Sequence, residues 1–170
     1  MTANRMMKNF VATLALMWAL PAAAALDVKE ITLGANERAI KTKFPSAHCK
    51  ALEWQTKAAD RRCDDSRVAF GGVEVQVTFY LKKDALEAFD LRFDTKELER
   101  FVKFLKTRYG EPRSEDKESY ERKGKTPRQV YKALWESGKQ RAVLTAQLEK
   151  RRASMLVSRG DFDEEIYRVR

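Results

Sequence analysis

Histidine and cysteine are scarce in this chain, whose 170 residues include one histidine and two cysteines. A histidine-based metal site would therefore need carboxylates or thiolates beside His48. The residues near His48 in the sequence match no standard zinc spacing, so we expect no metal site and no cofactor. Those residues are Cys49, Asp60, Cys63, Asp64 and Asp65.

Catalytic motifs are also missing from the sequence. No serine lies in a nucleophile-elbow context. The pair Gly71-Gly72 is not followed by Gly-Lys-Ser or Gly-Lys-Thr, which excludes a phosphate-binding loop. Asp64 and Asp65 could act as an acid–base pair, but adjacent acids in a loop usually face solvent. The sequence therefore predicts a protein that is not an enzyme.

Long apolar runs are absent after the first 25 residues. Within them, Arg5 and Lys8 precede the apolar run 11–20, which is followed by one proline and four alanines. A basic start, a short apolar core and small residues at the end are typical of a secretory signal peptide. We expect cleavage after Ala24 or Ala25.

A membrane anchor is the alternative interpretation of this segment. The apolar stretch of residues 10–25 is 16 residues long, short of the roughly 20 that a membrane-spanning helix needs. No cysteine follows the cleavage region to accept a bacterial lipid anchor. The sequence therefore predicts a periplasmic or secreted protein with no transmembrane anchor after processing.

The two cysteines, Cys49 and Cys63, predict a disulfide in an exported chain, because oxidising compartments pair such residues. The bridge would close a loop of about 14 residues and stabilise the fold by roughly 3 kcal/mol. A catalytic pair of His48 and Cys49 is not expected, since adjacent side chains in an extended segment point to opposite faces.

Positive charge exceeds negative charge, with a formal net charge of +9. The excess lies in residues 94–170, which hold 20 basic and 14 acidic residues, whereas residues 26–93 hold 12 and 11. We expect no nucleic-acid partner, because an exported chain rarely meets one and no basic-aromatic module is present. Acidic protein faces, anionic lipid head groups and lipopolysaccharide are the anions of a bacterial envelope that a basic surface attracts.

Hydrophobic periodicity predicts a sheet and a long helix. Residues 73–81 alternate between apolar and polar, and residues 89–93 do so again, as in an antiparallel hairpin. Residues 95–109 repeat at helical spacing. We interpret the charged segment 55–67 and the polar segment 113–128 as loops.

A short internal echo suggests a helix followed by strands, twice. Lys41-Thr42-Lys43-Phe44-Pro45 resembles the start of the segment 106–112, and each ends a predicted helix. The echo arises either from a duplication or by chance. We therefore predict one α+β domain over residues 26–170, an antiparallel sheet with helices packed on one face, with potential tandem halves at 31–93 and 94–159.

The exported start, the helix ending in Phe44-Pro45 and the exit Tyr109-Gly110-Glu111-Pro112 before a hairpin from Trp135 to Leu148 resemble small envelope proteins of the helix–two-strand repeat type. These include SmpA/OmlA-type outer-membrane assembly lipoproteins and the β-lactamase inhibitor proteins. The resemblance implies an α+β fold and action by protein or lipid contact without catalysis. The missing lipid-acceptor cysteine departs from the lipoprotein pattern.

Three hypotheses of function follow. The first is a periplasmic or secreted accessory protein that binds an envelope or secreted protein. The others are a secreted inhibitor of a hydrolase and a basic protein on anionic envelope lipids. Exposed aromatic side chains would supply most of the affinity in the first two, and cations in the third. The candidate contact residues are Trp54, Tyr80, Tyr131, Trp135, Lys150, Arg151 and Arg152.

Overall fold

The structure is a computed structural model that describes residues 25–54, 56–121, 123–124, 127–160 and 162. The predicted signal peptide, residues 1–25, lies outside the described residues apart from Ala25. Among the described residues, no helix has the length and apolar character needed to cross a membrane.

The described residues form ten strands and two α-helices. A small hairpin of β1 (Asp27–Val28) and β2 (Ile31–Thr32) precedes α1 (Glu37–Lys43), and α2 (Leu98–Tyr109) lies in the middle of the chain. The remaining strands are β3 (His48–Ala51), β4 (Arg61–Phe70), β5 (Val73–Lys82), β6 (Ala85–Phe93), β7 (Ser114–Tyr120), β8 (Arg128–Ser137), β9 (Gln140–Gln147) and β10 (Arg152–Arg159).

These eight strands make one antiparallel sheet in the order β3-β4-β5-β6-β10-β9-β8-β7. Strands β3 to β6 follow one another as a four-stranded meander, and so do β7 to β10. The two meanders join where β6 pairs with β10, for example Phe93 opposite Ala153.

The α+β prediction is wrong, because the chain is mostly antiparallel sheet. Strands account for 53% of the structure and helices for 20%. Helix α1 contributes one buried residue, Ile40, and α2 contributes three. Two helices of 7 and 12 residues are too small to form the helical layer on a sheet face that the sequence suggested.

Local signals explain where the helices begin and end. The Asn36 side chain accepts a hydrogen bond from the backbone N–H of Ala39 at 2.9 Å, which caps α1. The helix ends before Phe44-Pro45, as predicted. The predicted helix 95–109 begins as a 3₁₀ turn at Thr95–Glu97 and continues as α2.

The two faces of the sheet differ in their surroundings. One face is buried in the main core, where Phe79 contacts Phe44 with ring centroids 4.9 Å apart. We call the opposite surface the open face. On β5 the open face carries Gln76, Thr78 and Tyr80, which alternate with buried residues as the sequence predicted.

Two segments interpreted as loops are strands. Strand β4 begins at Arg61, inside the segment 55–67, and a bulge between Asp65 and Val68 breaks its alternation. Strand β7 lies within 113–128 at one edge of the sheet, where nearly all of its side chains are exposed. An edge strand wet on both faces needs no apolar alternation, so periodicity could not reveal it.

Candidate anion-binding groove

A groove of about 1210 Å³ lies on the open face, at the end of the sheet where β5 begins and β6 ends. The β9–β10 turn and the start of α2 complete it. Across four adjacent strands, Gln76, Arg92, Ser154 and Thr145 stand opposite one another in a row. We call it the basic groove after its six cations: Arg92, Lys96, Arg100, Lys150, Arg151 and Arg152.

Positive charge exceeds negative charge in the basic groove. Three acids, Glu74, Asp94 and Glu97, line it beside the six cations. The rest of the polar lining is neutral and includes hydroxyl and amide side chains such as Ser154 and Gln147. A concave site lined mainly by one sign of charge concentrates ions of the opposite sign.

Half of the cations are paired with carboxylates. Each pair is exposed on its basic side, so water and salt screen it. The distances between side-chain nitrogen and oxygen are 2.7 Å for Arg92–Asp90, 3.1 Å for Arg100–Glu97 and 2.8 Å for Arg151–Asp94.

The other three cations, Lys96, Lys150 and Arg152, are exposed. Among the described residues, no carboxylate oxygen lies within 4.0 Å of their side-chain nitrogens. These three cations therefore give the groove positive charge that no ion pair within 4.0 Å offsets among the described residues.

Asp94 contacts two walls of the groove. One of its oxygens accepts the backbone N–H of Lys96 at 3.0 Å, which caps the turn leading into α2. The other accepts a hydrogen bond from Arg151 at 2.8 Å, across 57 residues of chain. The Lys96 amide, with the Arg151 guanidinium beside it, holds the pKa of Asp94 below its ordinary value. The carboxylate is therefore ionised and bound by two donors.

Asp90 lies next to the groove on β6 and is only 8% exposed. In the sheet it stands between Thr78, which donates a hydrogen bond to Asp64, and Leu156. Burial raises the pKa of the Asp90 carboxyl, although Arg92 opposes this shift by charge and by a hydrogen bond. The ionised form is thus disfavoured in the folded protein.

Asp90→Asn is expected to raise the melting temperature at pH 7. A raised pKa means that the folded chain binds this proton more readily than the unfolded chain, so stability falls as the pH rises through the folded pKa. The asparagine lacks that penalty, and its advantage should shrink as the pH is lowered to about 3, below the ordinary pKa of aspartate.

Thermal unfolding of both proteins between these pH values tests this expectation. Asp116→Asn, at an exposed position on β7, controls for the loss of one negative charge. An Asp90→Asn protein that is less stable at pH 7, or whose advantage grows on acidification, would contradict the assignment of Asp90 as a destabilising buried charge.

Of the predicted contact residues, Lys150, Arg151 and Arg152 lie together in the groove, whereas two of the aromatics do not reach the surface. Tyr131 is 4% exposed and Trp135 is 3% exposed. The Tyr131 hydroxyl donates to Glu115 at 2.8 Å, and the Trp135 indole N–H donates to the Gly110 carbonyl at 2.9 Å. Tyr131 and Trp135 are therefore core residues, and their prediction as partner contacts is corrected.

The other two predicted aromatics lie on the open face but away from the groove. Tyr80 packs against Phe162 with ring centroids 5.5 Å apart, in a second apolar cluster with Ala88. Trp54 is half-buried, and the Arg62 guanidinium lies over its ring at 5.8 Å. Both rings have a partner within the chain, and their role as contacts for another protein stays a prediction.

Sequence reasoning missed Arg92, Lys96 and Arg100. A sequence signal existed for only two of them. Asp94 caps the helical segment that begins at Thr95, which places Lys96 and Arg100 on its first two turns. No local sequence pattern predicts the pairing of β6 with β10, which brings Arg92 towards residues 150–152.

The predicted disulfide between Cys49 and Cys63 is present and joins β3 to β4. Glu37 lies within 4.8 Å of both sulfur atoms. The sulfurs are bonded to each other, and Glu37 pairs with Arg61 at 2.8 Å. This cluster is therefore a disulfide beside an ion pair, with no free thiolate to bind a metal.

The basic groove presents a polar and mainly basic lining. Its described lining contains serine and threonine hydroxyls but no histidine or cysteine, so a hydroxyl there has no imidazole base beside it. Cations and hydrogen-bond donors would bind and orient an anion.

Comparison with protein-family models, curated proteins and solved structures finds no match for this chain. The resemblance to small envelope proteins therefore stays a prediction.

Proposed function

We propose that this protein is a non-catalytic binding or accessory protein of the bacterial periplasm or secreted space, and that it binds another protein through the basic groove. The observation that carries this proposal is the set of three exposed, unpaired cations, Lys96, Lys150 and Arg152. Unpaired charge in a concave, polar site favours a ligand that supplies the opposite charge.

Export is part of the proposal and rests on two features. The first 25 residues have the order of a signal peptide. The disulfide between Cys49 and Cys63 is compatible with an oxidising compartment.

The shape of the site favours a protein partner over a lipid surface. A groove of about 1210 Å³ can take a segment of chain, whereas a flat bilayer cannot enter it. Burial of Tyr131 and Trp135 removes two of the aromatic contacts expected for both an accessory protein and a hydrolase inhibitor, so protein binding is proposed through the cations of the groove instead. The exposed basic turn at residues 150–152 is the feature that favours anionic lipid binding, so lipids are included in the test below.

Replacing the three unpaired cations with glutamine (Lys96→Gln, Lys150→Gln and Arg152→Gln) is expected to reduce capture of the partner from crosslinked envelope extract by at least about tenfold. The loss follows from removing the charges that attract and hold the anion. Quantitative mass spectrometry of proteins and lipids recovered with the parent and variant measures it.

A matched control changes three exposed lysines at the opposite end of the sheet: Lys57→Gln, Lys83→Gln and Lys139→Gln. It alters net charge by the same amount and should keep the partner. Equal loss in both variants would show non-specific attraction by net charge, and groove-dependent recovery of lipid alone would overturn the proposal of a protein partner.

A further inference from the structure

An acidic group already occupies the basic groove. The Asp94 carboxylate accepts hydrogen bonds from the Lys96 backbone amide and the Arg151 guanidinium. The Arg151 side chain is 70% exposed, and a pair this exposed is weakly held because water and salt screen it. A carboxylate from a partner could therefore replace Asp94 on Arg151 at little cost.

The groove is built for several anionic groups at once. Its cations lie on three sides: Arg92 on β6, Lys96 and Arg100 on the 3₁₀ turn and the first turn of α2, and residues 150–152 where the β9–β10 connection enters β10. The volume of about 1210 Å³ exceeds the usual upper range for small-molecule sites, which is roughly 1,000 Å³. An extended chain with repeated negative charge fits this arrangement.

The neutral part of the lining favours a peptide over a phosphate polymer. Gln76, Gln147, Thr145 and Ser154 offer both donors and acceptors. A peptide backbone can use both kinds of group, because each residue carries an N–H and a C=O. Phosphate oxygens can use only donors.

Building on the proposed function, we infer that the basic groove binds an extended aspartate- or glutamate-rich segment of the partner protein, one of whose carboxylates displaces Asp94 from Arg151. Asp94 is then a stand-in for the ligand: it competes for the same guanidinium and lowers affinity in the free protein. The partner segment gains Arg151 together with the three unpaired cations.

Fluorescence anisotropy with a labelled ten-residue glutamate peptide tests this inference on the disulfide-bonded protein. Asp94→Asn should bind the peptide about threefold or more tightly than the parent, because it frees Arg151 and removes a repelling charge. Asparagine is a good cap, so the Lys96 amide keeps its acceptor and the turn into α2 is preserved. Glu87→Gln, outside the groove on β6, removes the same charge and should leave affinity nearly unchanged.

The glutamine variant at residues 96, 150 and 152 should bind the peptide at least about tenfold more weakly, and the control variant at 57, 83 and 139 nearly as well as the parent. A labelled glycine–serine peptide should not bind. Two results would overturn the inference: equal peptide affinity in the two triple-glutamine variants, or an affinity of Asp94→Asn no higher than that of Glu87→Gln.

Two further probes separate this inference from the proposed function. If the glutamate peptide does not bind but groove-dependent capture of an envelope protein persists, the acidic-segment inference fails and the proposed function stands. If phosphatidylglycerol vesicles or inorganic polyphosphate bind in a groove-dependent way and the peptide does not, both fail. Peptide binding that depends on the groove and is strengthened by Asp94→Asn supports both.

Discussion

Phe101→Ala is expected to lower the free energy of unfolding by about 3–5 kcal/mol, the range for truncating a buried phenylalanine. Phe101 is fully buried, and its ring centroid lies 4.4 Å from that of Phe93 and 6.1 Å from that of Phe70. Truncation would leave a cavity between α2 and the sheet. Urea denaturation followed by circular dichroism measures the loss.

The same change should weaken ligand binding, because α2 carries one wall of the basic groove. Arg100 lies in the first turn of this helix, and Lys96 lies in the 3₁₀ turn that leads into it. Val102→Ala, at a half-buried neighbouring position, is the control for stability. It should lower the free energy of unfolding clearly less than Phe101→Ala does. A loss below about 1 kcal/mol for Phe101→Ala would contradict the packing of α2 described above.

Replacing both cysteines with alanine is expected to lower the free energy of unfolding by roughly 3 kcal/mol, the chain-entropy value for a closed loop of this length. Cys49 and Cys63 are 14 residues apart and stand directly opposite each other on β3 and β4. Strand β3 is a four-residue edge strand with one neighbour in the sheet, so the disulfide adds a covalent link to its pairing with β4.

Denaturation with and without reductant gives the control within one experiment. Reductant should destabilise the parent to the level of the Cys49→Ala/Cys63→Ala variant and leave that variant unchanged. If the disulfide of the parent protein is fully reduced and its stability does not fall, β3 is held by its hydrogen bonds alone.

Part of the fold was predictable because local physics determines it. Residues 73–81 alternate because one side of β5 is buried and the other is open, and the predicted strand matches β5 closely. Residues 95–109 repeat at helical spacing because one side of α2 packs on the core. Both signals depend on a segment with two different faces.

Other elements gave no such signal. In β4, Asp65 occupies a buried position, where its carboxylate accepts a hydrogen bond from Ser46 at 2.7 Å. A buried polar residue whose hydrogen-bond partner is distant in the sequence interrupts the apolar alternation, so its segment is predicted as a loop. The start of β4, before the predicted short strand 68–70, and the whole of β7 were interpreted as loops, which is part of why the chain was predicted as α+β when the sheet dominates it.

The groove was predictable only in part, because it is assembled from distant segments. Residues 150–152 were identified as a basic turn, but nothing local indicated that Asp94 would hold Arg151. The aromatic candidates failed for a related reason. Alternation marks Tyr131 and Trp135 as sharing one side of β8, and it does not say whether that side is core or solvent.

The symmetric strand order has a consequence for the order in which the molecule folds. Within the described sheet, every neighbouring pair except β6–β10 joins strands consecutive in the chain, whereas Phe93 and Ala153 meet across 60 residues. Each meander can form by local hairpin closure, and joining the two requires closing a long loop, which is slower. The basic groove spans this junction, with Arg92 on one side and Ser154 on the other. A ligand there would bind only after the halves have joined, and would slow unfolding without speeding folding.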